Sequence, residues 1–134
     1  MKILVAYDGS EQATRALEWA VQMVQNSTVT VISVAPTLEA SPRMADAVDP
    51  SSDIPEHRRQ LDEAVDILDQ ASVRSETILT AGNPAEEIIN AAADGGFDVI
   101  VVGIRGRSAV RRFLIGSVAD RVVRHASIPV LVVR

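Results

Sequence analysis

The sequence predicts a single α/β domain in which a parallel five-stranded sheet, doubly wound, is covered by helices on both faces. Four segments have the apolar spacing of a helix with one buried face, and short β-branched runs alternate with them. The chain has 134 residues, the length of one domain. Hydrophobic residues make up 47% of it but aromatic residues only 3%. The core must therefore be aliphatic, as in sheets that are buried on both faces.

Four of the five predicted strands are continuous apolar runs, which are typical of central parallel strands. They are Ile3–Ala6, Val29–Val34, Val99–Val102 and Ile128–Val133. The fifth, Val73–Thr80, carries charges and hydroxyl groups and is predicted as a half-exposed edge strand.

The four helices are predicted from apolar residues at positions i, i+3, i+4 and i+7. These stripes are Ala13-Ala16-Leu17-Ala20, Leu61-Ala64-Val65-Leu68, Ala85-Ile88-Ile89-Ala92 and Ala119-Val122-Val123-Ala126. Three helices also have residues typical of a helix start, because short polar side chains cap free N–H groups and proline suits the first turn. We expect Ser10 before the first helix, Asn83-Pro84 before the third and Ser117 before the fourth.

The segment Pro36–Pro55 interrupts this alternation. It holds four of the six prolines and has no apolar periodicity. We expect a long, flexible loop at 36–55, since long unstructured connections in compact domains are either functional or disordered. A lid over a ligand and a plain disordered loop are both consistent with its composition.

The charge distribution indicates a site for a small anion. From Arg105 to Arg124 there are six arginines and one acid, a charge of +5, which leaves −10 for the rest of a chain whose net charge is −5. A local basic patch on an acidic body suits a small anion better than nucleic acid. A solvated, arginine-rich loop and helix explains the same charges without a ligand.

Other features restrict the cellular setting. Cysteine is absent, which excludes disulfides, thiolate metal sites and cysteine catalysis. No apolar run approaches the roughly 18 residues of a membrane span, and the N-terminus lacks the apolar stretch of a signal peptide. We expect a cytoplasmic protein with no membrane partner and no nucleic-acid partner.

The strongest local pattern is Gly103-Ile104-Arg105-Gly106, followed after nine residues by Gly116-Ser117. It joins the end of an apolar strand to the start of a helix. Glycine lets the backbone approach a ligand closely, and N–H groups in a turn or at a helix N-terminus bind phosphate. The Ser117 hydroxyl can donate to a phosphate oxygen. Turn glycines and an N-cap serine would have the same sequence in a protein without this ligand.

Asp8 is the second candidate binding residue, since it lies between the first strand and the first helix. Its carboxylate can accept hydrogen bonds from ribose hydroxyls, or it can simply stabilise the positive end of the helix. Ligands of open α/β sheets bind outside the carboxyl ends of strands where the winding direction reverses. If the first and fourth strands are neighbours, Asp8 and Gly103 flank the same crevice.

Several alternatives lack the residues that they need. The chain has no G-x-x-x-x-G-K-[ST] or G-x-G-x-x-G motif, and its only lysine is Lys2. His57 and His125 are isolated in the sequence, so no metal ligands are predicted. No nucleophile has an evident base, so no catalytic residue is predicted. Four aromatic residues are too few to surround a flavin.

The chain resembles the universal stress protein family, from V-A-Y-D-G-S near its start to G-S-V-A-D-R-V-V-R-H-A-S-I-P-V-L-V-V near its end. The ATP-binding branch of that family carries G-x2-G-x9-G-[ST], which Gly103, Gly106, Gly116 and Ser117 match. The resemblance covers all 134 residues. It implies the strand order 3-2-1-4-5 and ATP bound at the point where the winding reverses. We expect Mg²⁺ to accompany the ATP.

The resemblance also implies roles for individual residues. Asp8 would hold the ribose with Ala6 and Tyr7 beside it, Val34 would meet adenine through its backbone, and Val102 would line the base pocket. The residues that would surround the phosphates are Gly103, Gly106, Gly116, Ser117 and Val118, with Arg105 and Arg107 in reach. Ile104 stands where the family often has a small hydroxyl residue, which removes one polar contact.

The leading functional hypothesis is an ATP-binding stress-response or regulatory protein in which the bound nucleotide is a switch that acts on an unknown protein partner. The alternatives are a slow ATPase or nucleotidyl-transfer enzyme of the same fold, and an interaction module with an empty site. In the implied strand order the last strand is an apolar edge. Because an open apolar edge promotes aggregation, we expect it to be covered in a homodimer that pairs through Val130–Val133.

Overall fold

In the parts of the chain that the structure describes, five strands and four helices alternate strictly. A computed structural model describes residues 1–37, 54–105 and 115–134. The strands are β1 (Lys2–Ala6), β2 (Thr28–Pro36), β3 (Ser75–Gly82), β4 (Val99–Gly103) and β5 (Val130–Val133). The helices are α1 (Glu11–Met23), α2 (Ile54–Gln70), α3 (Pro84–Asp94) and α4 (Ser117–His125).

The sheet is parallel throughout, with the order β3-β2-β1-β4-β5. This confirms the implied order, and it places β3 and β5 at the two edges. β1 is central: Val5 is opposite Val31 of β2 on one side and Val101 of β4 on the other. The chain therefore winds from β1 towards β3 first and then returns to build β4 and β5. The winding direction reverses between β1 and β4.

Two apolar layers cover the sheet, because successive side chains of a strand point to opposite faces. Val5 packs with residues of α1 and α2, whereas its neighbour Leu4 packs with residues of α3 and α4. The predicted α1 stripe is buried at all four of its positions. Among the described residues, no helix is long and apolar enough to cross a membrane.

Two predicted helix starts are confirmed and one is wrong. Ser10 Oγ accepts a hydrogen bond from the N–H of Ala13 at 3.1 Å, and Asn83 Oδ1 accepts one from the N–H of Glu86 at 3.2 Å. Ser117, however, is the first residue of α4 and does not cap it. Gly116 is the N-cap, since its carbonyl accepts from the N–H of Asp120 at 2.9 Å, and it has no side chain with which to cap the helix.

Several predicted boundaries and burials also differ. β2 continues to Pro36 and α2 includes Pro55, so both elements extend into the predicted loop 36–55. Residues 38–53 of that loop lie outside the described residues. β3 begins two residues later than predicted, and β5 begins at Val130.

Val123 was predicted to face the core but is 47% exposed. Arg121 faces α3, since it pairs with Glu86 of that helix. Val123 lies on the opposite flank of α4 and therefore faces the edge of the sheet.

Candidate functional site

The turn after β1 is held in place by one backbone–backbone and one backbone–side-chain hydrogen bond. The N–H of Tyr7 donates to the carbonyl of Ile32 in β2 at 2.9 Å, and the Tyr7 side chain is buried. One residue later, Asp8 Oδ1 accepts from the N–H of Ser10 at 2.9 Å. The half-buried carboxylate of Asp8 is thereby oriented at the carboxyl end of β1. The predicted position of Asp8, just past a central strand, is confirmed.

The end of β4 lies against the start of α1, and Gly103 makes this approach possible. A Cβ atom on Gly103 would lie 2.8 Å from the carbonyl carbon of Gln12 and 3.0 Å from its carbonyl oxygen. Real side chains do not tolerate contacts this short with backbone. The sequence predicted Gly103 for its approach to a ligand, but in the structure it allows close packing of α1 on β4. That packing brings the Asp8 turn to the end of β4.

Gly103→Ala is therefore expected to destabilise the protein by about 1–3 kcal/mol, the usual cost of overfilling a packed contact. Denaturant unfolding followed by circular dichroism measures this loss. Gly96→Ala is a useful comparison, because a Cβ there would meet nothing within 4 Å and only the φ of +64° opposes it. A Gly103→Ala protein as stable as the wild type would show that α1 does not need this close approach.

A hydrogen bond joins the two halves of the glycine pattern. The N–H of Gly116 donates to the carbonyl of Ile104 at 2.6 Å, while the N–H of Ile104 donates to the carbonyl of Val133 at 2.7 Å. The start of α4 is thus tied to the end of β4, beside the point where the winding reverses. Gly106 and Arg107 belong to residues 106–114, outside the described residues, so their roles stay predictions.

The N-terminus of α4 differs from those of α1 and α3, because a glycine in the N-cap position leaves it without a side-chain acceptor. The first N–H groups of a helix have no partner within the helix and carry partial positive charge. Ser117 is exposed at this position, and Val118 packs against the apolar layer beneath.

The basic patch is weaker than its sequence suggests. Arg124 donates through Nε to both carboxylate oxygens of Asp120 at 3.0 Å, and Arg121 lies 3.6 Å from Glu86. Glu86 is distant in sequence, and only the packing of α3 beside α4 brings it to Arg121. Arg105 follows Gly103, the last residue of β4, by two residues and is half-buried.

Val34 and Val102 are both buried, and Val34 packs in the apolar layer with residues of α3 and α4. Val34 is not the last residue of its strand, since β2 runs on to Pro36 and Val34 is opposite Thr80 of β3. The carbonyl of Ile32 points to β1, where it accepts from Tyr7. Backbone groups of a strand alternate in direction, so Val34 also directs its N–H and carbonyl to the β1 side. β1 has ended at Ala6, and these groups face the crevice above it.

Three polar side chains under α2, those of Ser33, His57 and Gln60, were not predicted as neighbours from the sequence. Ser33 Oγ and His57 Nδ1 are 2.7 Å apart, so His57 is not isolated in space. Gln60 is 2% exposed, and its amide lies against Gly9, directly after Asp8. The available signal was position: His57 and Gln60 precede Leu61 and Ala64 on the buried face of α2, where polar residues are unusual.

No group of three or more histidine or acidic side chains in the described ranges is placed to hold a metal ion. The acids near the glycine pattern in sequence have other partners: Asp98 accepts from the N–H of Lys2 at 2.7 Å, and Asp120 accepts from Arg124.

Comparison with known proteins agrees with this geometry. Residues 1–134 match the model of the universal stress protein family. The chain is 34% identical to the universal stress protein YxiE of Bacillus subtilis over 145 aligned positions, which cover 99% of this chain and 98% of that protein.

Two solved structures are also similar. MJ0577 of Methanocaldococcus jannaschii superposes with a TM-score of 0.84 at 28% identity, covering 98% of this chain and 94% of the other. A universal stress protein from Archaeoglobus fulgidus, solved in complex with dAMP, superposes with a TM-score of 0.77 at 29% identity, covering 100% and 98%.

Proposed function

Because the chain belongs to the universal stress protein family, we propose that it binds one ATP, with Mg²⁺, in the crevice between β1 and β4. In this proposal it is a cytoplasmic stress-response or regulatory protein, and the bound nucleotide is the signal that it presents to a protein partner. The observation that carries the proposal is the 2.6 Å hydrogen bond between Gly116 and Ile104, which brings the uncapped start of α4 to the end of β4.

The phosphates are assigned to this junction. Ser117 and Val118 contribute the first N–H groups of α4, which attract a phosphate by hydrogen bonding and by the helix dipole. The N–H of the N-cap Gly116 is used by Ile104, and Gly116 contributes by leaving room for the phosphate to approach. Gly103 and Arg105 approach from the end of β4, and the Ser117 hydroxyl is exposed beside them. Gly106 and Arg107, by their place in the family's motif, complete the loop around the phosphates.

The nucleoside is assigned to the β1 side of the crevice. Asp8, oriented by the N–H of Ser10, accepts from the ribose, with Ala6 and Tyr7 beside it. The backbone groups of Val34 meet the edge of adenine, and the buried side chains of Val34 and Val102 form an apolar surface for the base. The relative from Archaeoglobus fulgidus that was solved with dAMP supports an adenine nucleotide as the ligand class.

The residues present fit Mg²⁺ as a companion of the nucleotide. Mg²⁺ usually keeps several waters and is held by substrate phosphates with one or two protein oxygens. Ser117 Oγ, exposed at the start of α4, is the protein oxygen assigned to Mg²⁺, because Asp8 is assigned to the ribose. Bound Mg²⁺ would neutralise phosphate charge, which the partly paired arginines do only incompletely.

Isothermal titration calorimetry with ATP and Mg²⁺ tests the proposal, and we expect one ATP for each chain. Mass spectrometry of freshly purified protein under native conditions is expected to show the nucleotide already bound. Protein that takes up no adenine nucleotide in either measurement would contradict the proposed function.

Hydrolysis of the bound ATP is expected to be slower than about 1 s⁻¹, the lower end of typical enzyme turnover. Fast phosphoryl transfer needs a positioned nucleophile and strong neutralisation of charge. The only lysine, Lys2, lies at the opposite end of β1, where it donates to Gly95. Asp98 is at that same end, and Asp120 is paired with Arg124.

Phosphate release from purified protein measures the turnover. An Asp8→Ala variant distinguishes hydrolysis at this site from hydrolysis by a contaminating ATPase. The variant is expected to lose nucleotide binding, so hydrolysis at the site stops whereas a contaminant stays active. If turnover exceeds about 1 s⁻¹ and disappears in Asp8→Ala, the protein is an ATPase and the bound ATP is not a switch.

The proposal includes a homodimer through β5. That strand is the edge of the sheet in the structure, and Val123 of α4 is exposed on the same side. A second copy related by a two-fold axis would continue the sheet and cover both.

A further inference from the structure

Trp19 lies on the flank of α1 that faces the open edge of the sheet, and it is 51% exposed. Arg15, four residues earlier on the same face of the helix, donates to the carbonyl of Arg134, just after β5, at 3.4 Å. Met23, four residues later, packs against the same apolar layer as Leu131 of β5. Trp19 lies between these two contacts and therefore beside β5.

Trp19 is also level with the middle of β5. The start of α1 is fixed by Gln12, which lies against Gly103, and Gly103 is opposite Val133. Trp19 is seven positions further along α1, a distance of about 10 Å that about three strand residues also cover. Because α1 runs in the direction opposite to the strands, its backbone at Trp19 is level with the start of β5. A helical side chain leans towards the N-terminus of its helix, which brings the ring to the level of Leu131.

The open edge of β5 determines how a second copy can pair with it. The carbonyl of Val133 accepts from the N–H of Ile104, so Val133 faces β4. Backbone groups alternate along a strand, so those of Val130 and Val132 face the open edge. In an antiparallel pair, all of these outward groups are used when Val130 of one copy is opposite Val132 of the other. The two-fold axis then passes beside Leu131, which is the level of the Trp19 ring.

This pairing leaves a gap above the two edge strands that calls for a large side chain. α1 lies over β4, since Gln12 is in contact with Gly103. Two β5 strands would separate β4 from its copy, so the two α1 helices would be three strand spacings apart, about 14 Å. Directly packed helices are about 8–10 Å apart. One tryptophan from each helix spans the difference above the apolar floor that Leu131 provides.

The charges around Trp19 suit an identical partner. A residue near a two-fold axis meets its own copy, so an unpaired charge there would repel its equivalent. Arg15 is paired with Glu11 of the same helix at 2.5 Å. Gln22, the next residue along this surface, is uncharged, and Glu18 points about 100° away around the helix.

We propose that Trp19 anchors the homodimer, with the two Trp19 rings packed on each other across the two-fold axis on the α1 side of the continued sheet. This inference rests on the proposed function, in the part that concerns the homodimer. β5 has four residues, and its edge alone covers much less than the roughly 800 Å² that each partner buries in a stable interface. Tryptophan near the centre of an interface commonly contributes a large share of the affinity.

Sedimentation velocity of wild type, Trp19→Ala and Glu18→Ala over a concentration series tests the inference. Glu18 is the exposed neighbour of Trp19 on α1, so Glu18→Ala is the matched control. We expect Trp19→Ala to raise the dissociation constant of the dimer at least about 100-fold, because both copies lose the contact. Glu18→Ala should change it by less than about threefold. Circular dichroism should show both variants folded, since Trp19 belongs to neither apolar layer.

Fluorescence provides a second readout that needs no variant, because Trp19 is the only tryptophan of the chain. In the dimer the ring is shielded from water. Dilution of the wild type through its dissociation constant should therefore shift the emission to longer wavelength and increase quenching by iodide. Emission that is the same in dimer and monomer would overturn the inference.

The remaining outcomes separate this inference from the rest of the proposed function. A Trp19→Ala dimer as stable as that of the wild type would overturn the inference and leave the homodimer intact. A monomeric wild type would overturn both and would leave this surface to a different protein. ATP binding is expected to be the same in Trp19→Ala as in the wild type, because Asp8 lies beyond the other end of α1. A wild type that dimerises through Trp19 but binds no ATP would contradict only the nucleotide proposal.

Discussion

Replacing Gly116 with valine is expected to abolish ATP binding while the fold persists. Gly116 has φ −64° and ψ 156°, a conformation that valine adopts readily. Its N–H can still donate to Ile104, so the junction of β4 and α4 is retained. The isopropyl group, however, stands at the start of α4, where the phosphate must approach the free N–H groups. Losing two hydrogen bonds to a charged group, about 1.5–3 kcal/mol each, weakens binding by at least about 100-fold.

Ser127→Val is the matched control, because it adds the same branched side chain at an exposed position just beyond the other end of α4. Titration calorimetry should show ATP binding to the wild type and to Ser127→Val but not to Gly116→Val. Circular dichroism should show that all three are folded. If Gly116→Val takes up ATP like the wild type, the assignment of the phosphates to this junction is wrong.

Val132→Pro is expected to convert the proposed dimer into a monomer. The carbonyls of Pro129 and Val133 accept from Ile100 at 3.0 Å and from Ile104 at 2.7 Å, so these odd-numbered residues face β4. Because backbone groups alternate along a strand, Val130 and Val132 direct their N–H and carbonyl groups to the open edge. Proline at 132 removes a donor from that edge and leaves the bonds to β4 in place.

The same alternation decides the effect of Pro129 on the open edge. The Pro129 carbonyl faces β4, so an N–H at this residue would also face β4. The absence of that N–H in proline therefore does not limit pairing at the open edge. A charge at Leu131 would be a poor test of the dimer, since this partly buried side chain packs against the core and arginine there would also destabilise the fold.

Sedimentation velocity at micromolar concentration measures the outcome. Val132→Thr is the control, because threonine keeps both the N–H and the branched shape of valine. We expect dimers of the wild type and Val132→Thr, and monomers of Val132→Pro with an unchanged helical spectrum. A monomeric wild type, or a Val132→Pro protein that stays dimeric, would show that β5 is not the interface.

Local sequence was sufficient for most of the elements. An amphipathic helix repeats its apolar residues over a few turns, so the stripe of α1 and the caps at Ser10 and Asn83 were visible without any knowledge of the partners that they pack against. Continuous apolar runs likewise predicted β1 and β4 as buried strands. The glycine pattern and Asp8 were predicted as a site because each follows such a strand, and the strand order came from the family resemblance.

Tertiary structure decided which of these local features have a further role. Val123 fits the stripe of α4 but is exposed, because α4 lies over the last strand and the sheet ends beside it. Gly103 has to be a glycine because of Gln12, a residue 91 positions earlier in the chain. The orientation of Val34 depends on where β1 ends, and the burial of Gln60 on how α2 lies against β2 and the Gly9 turn. The sequence by itself determined the elements, since their causes are periodicity and capping within a few residues. Only the tertiary structure determined the contacts of the site, since each of them joins residues that are distant in the chain.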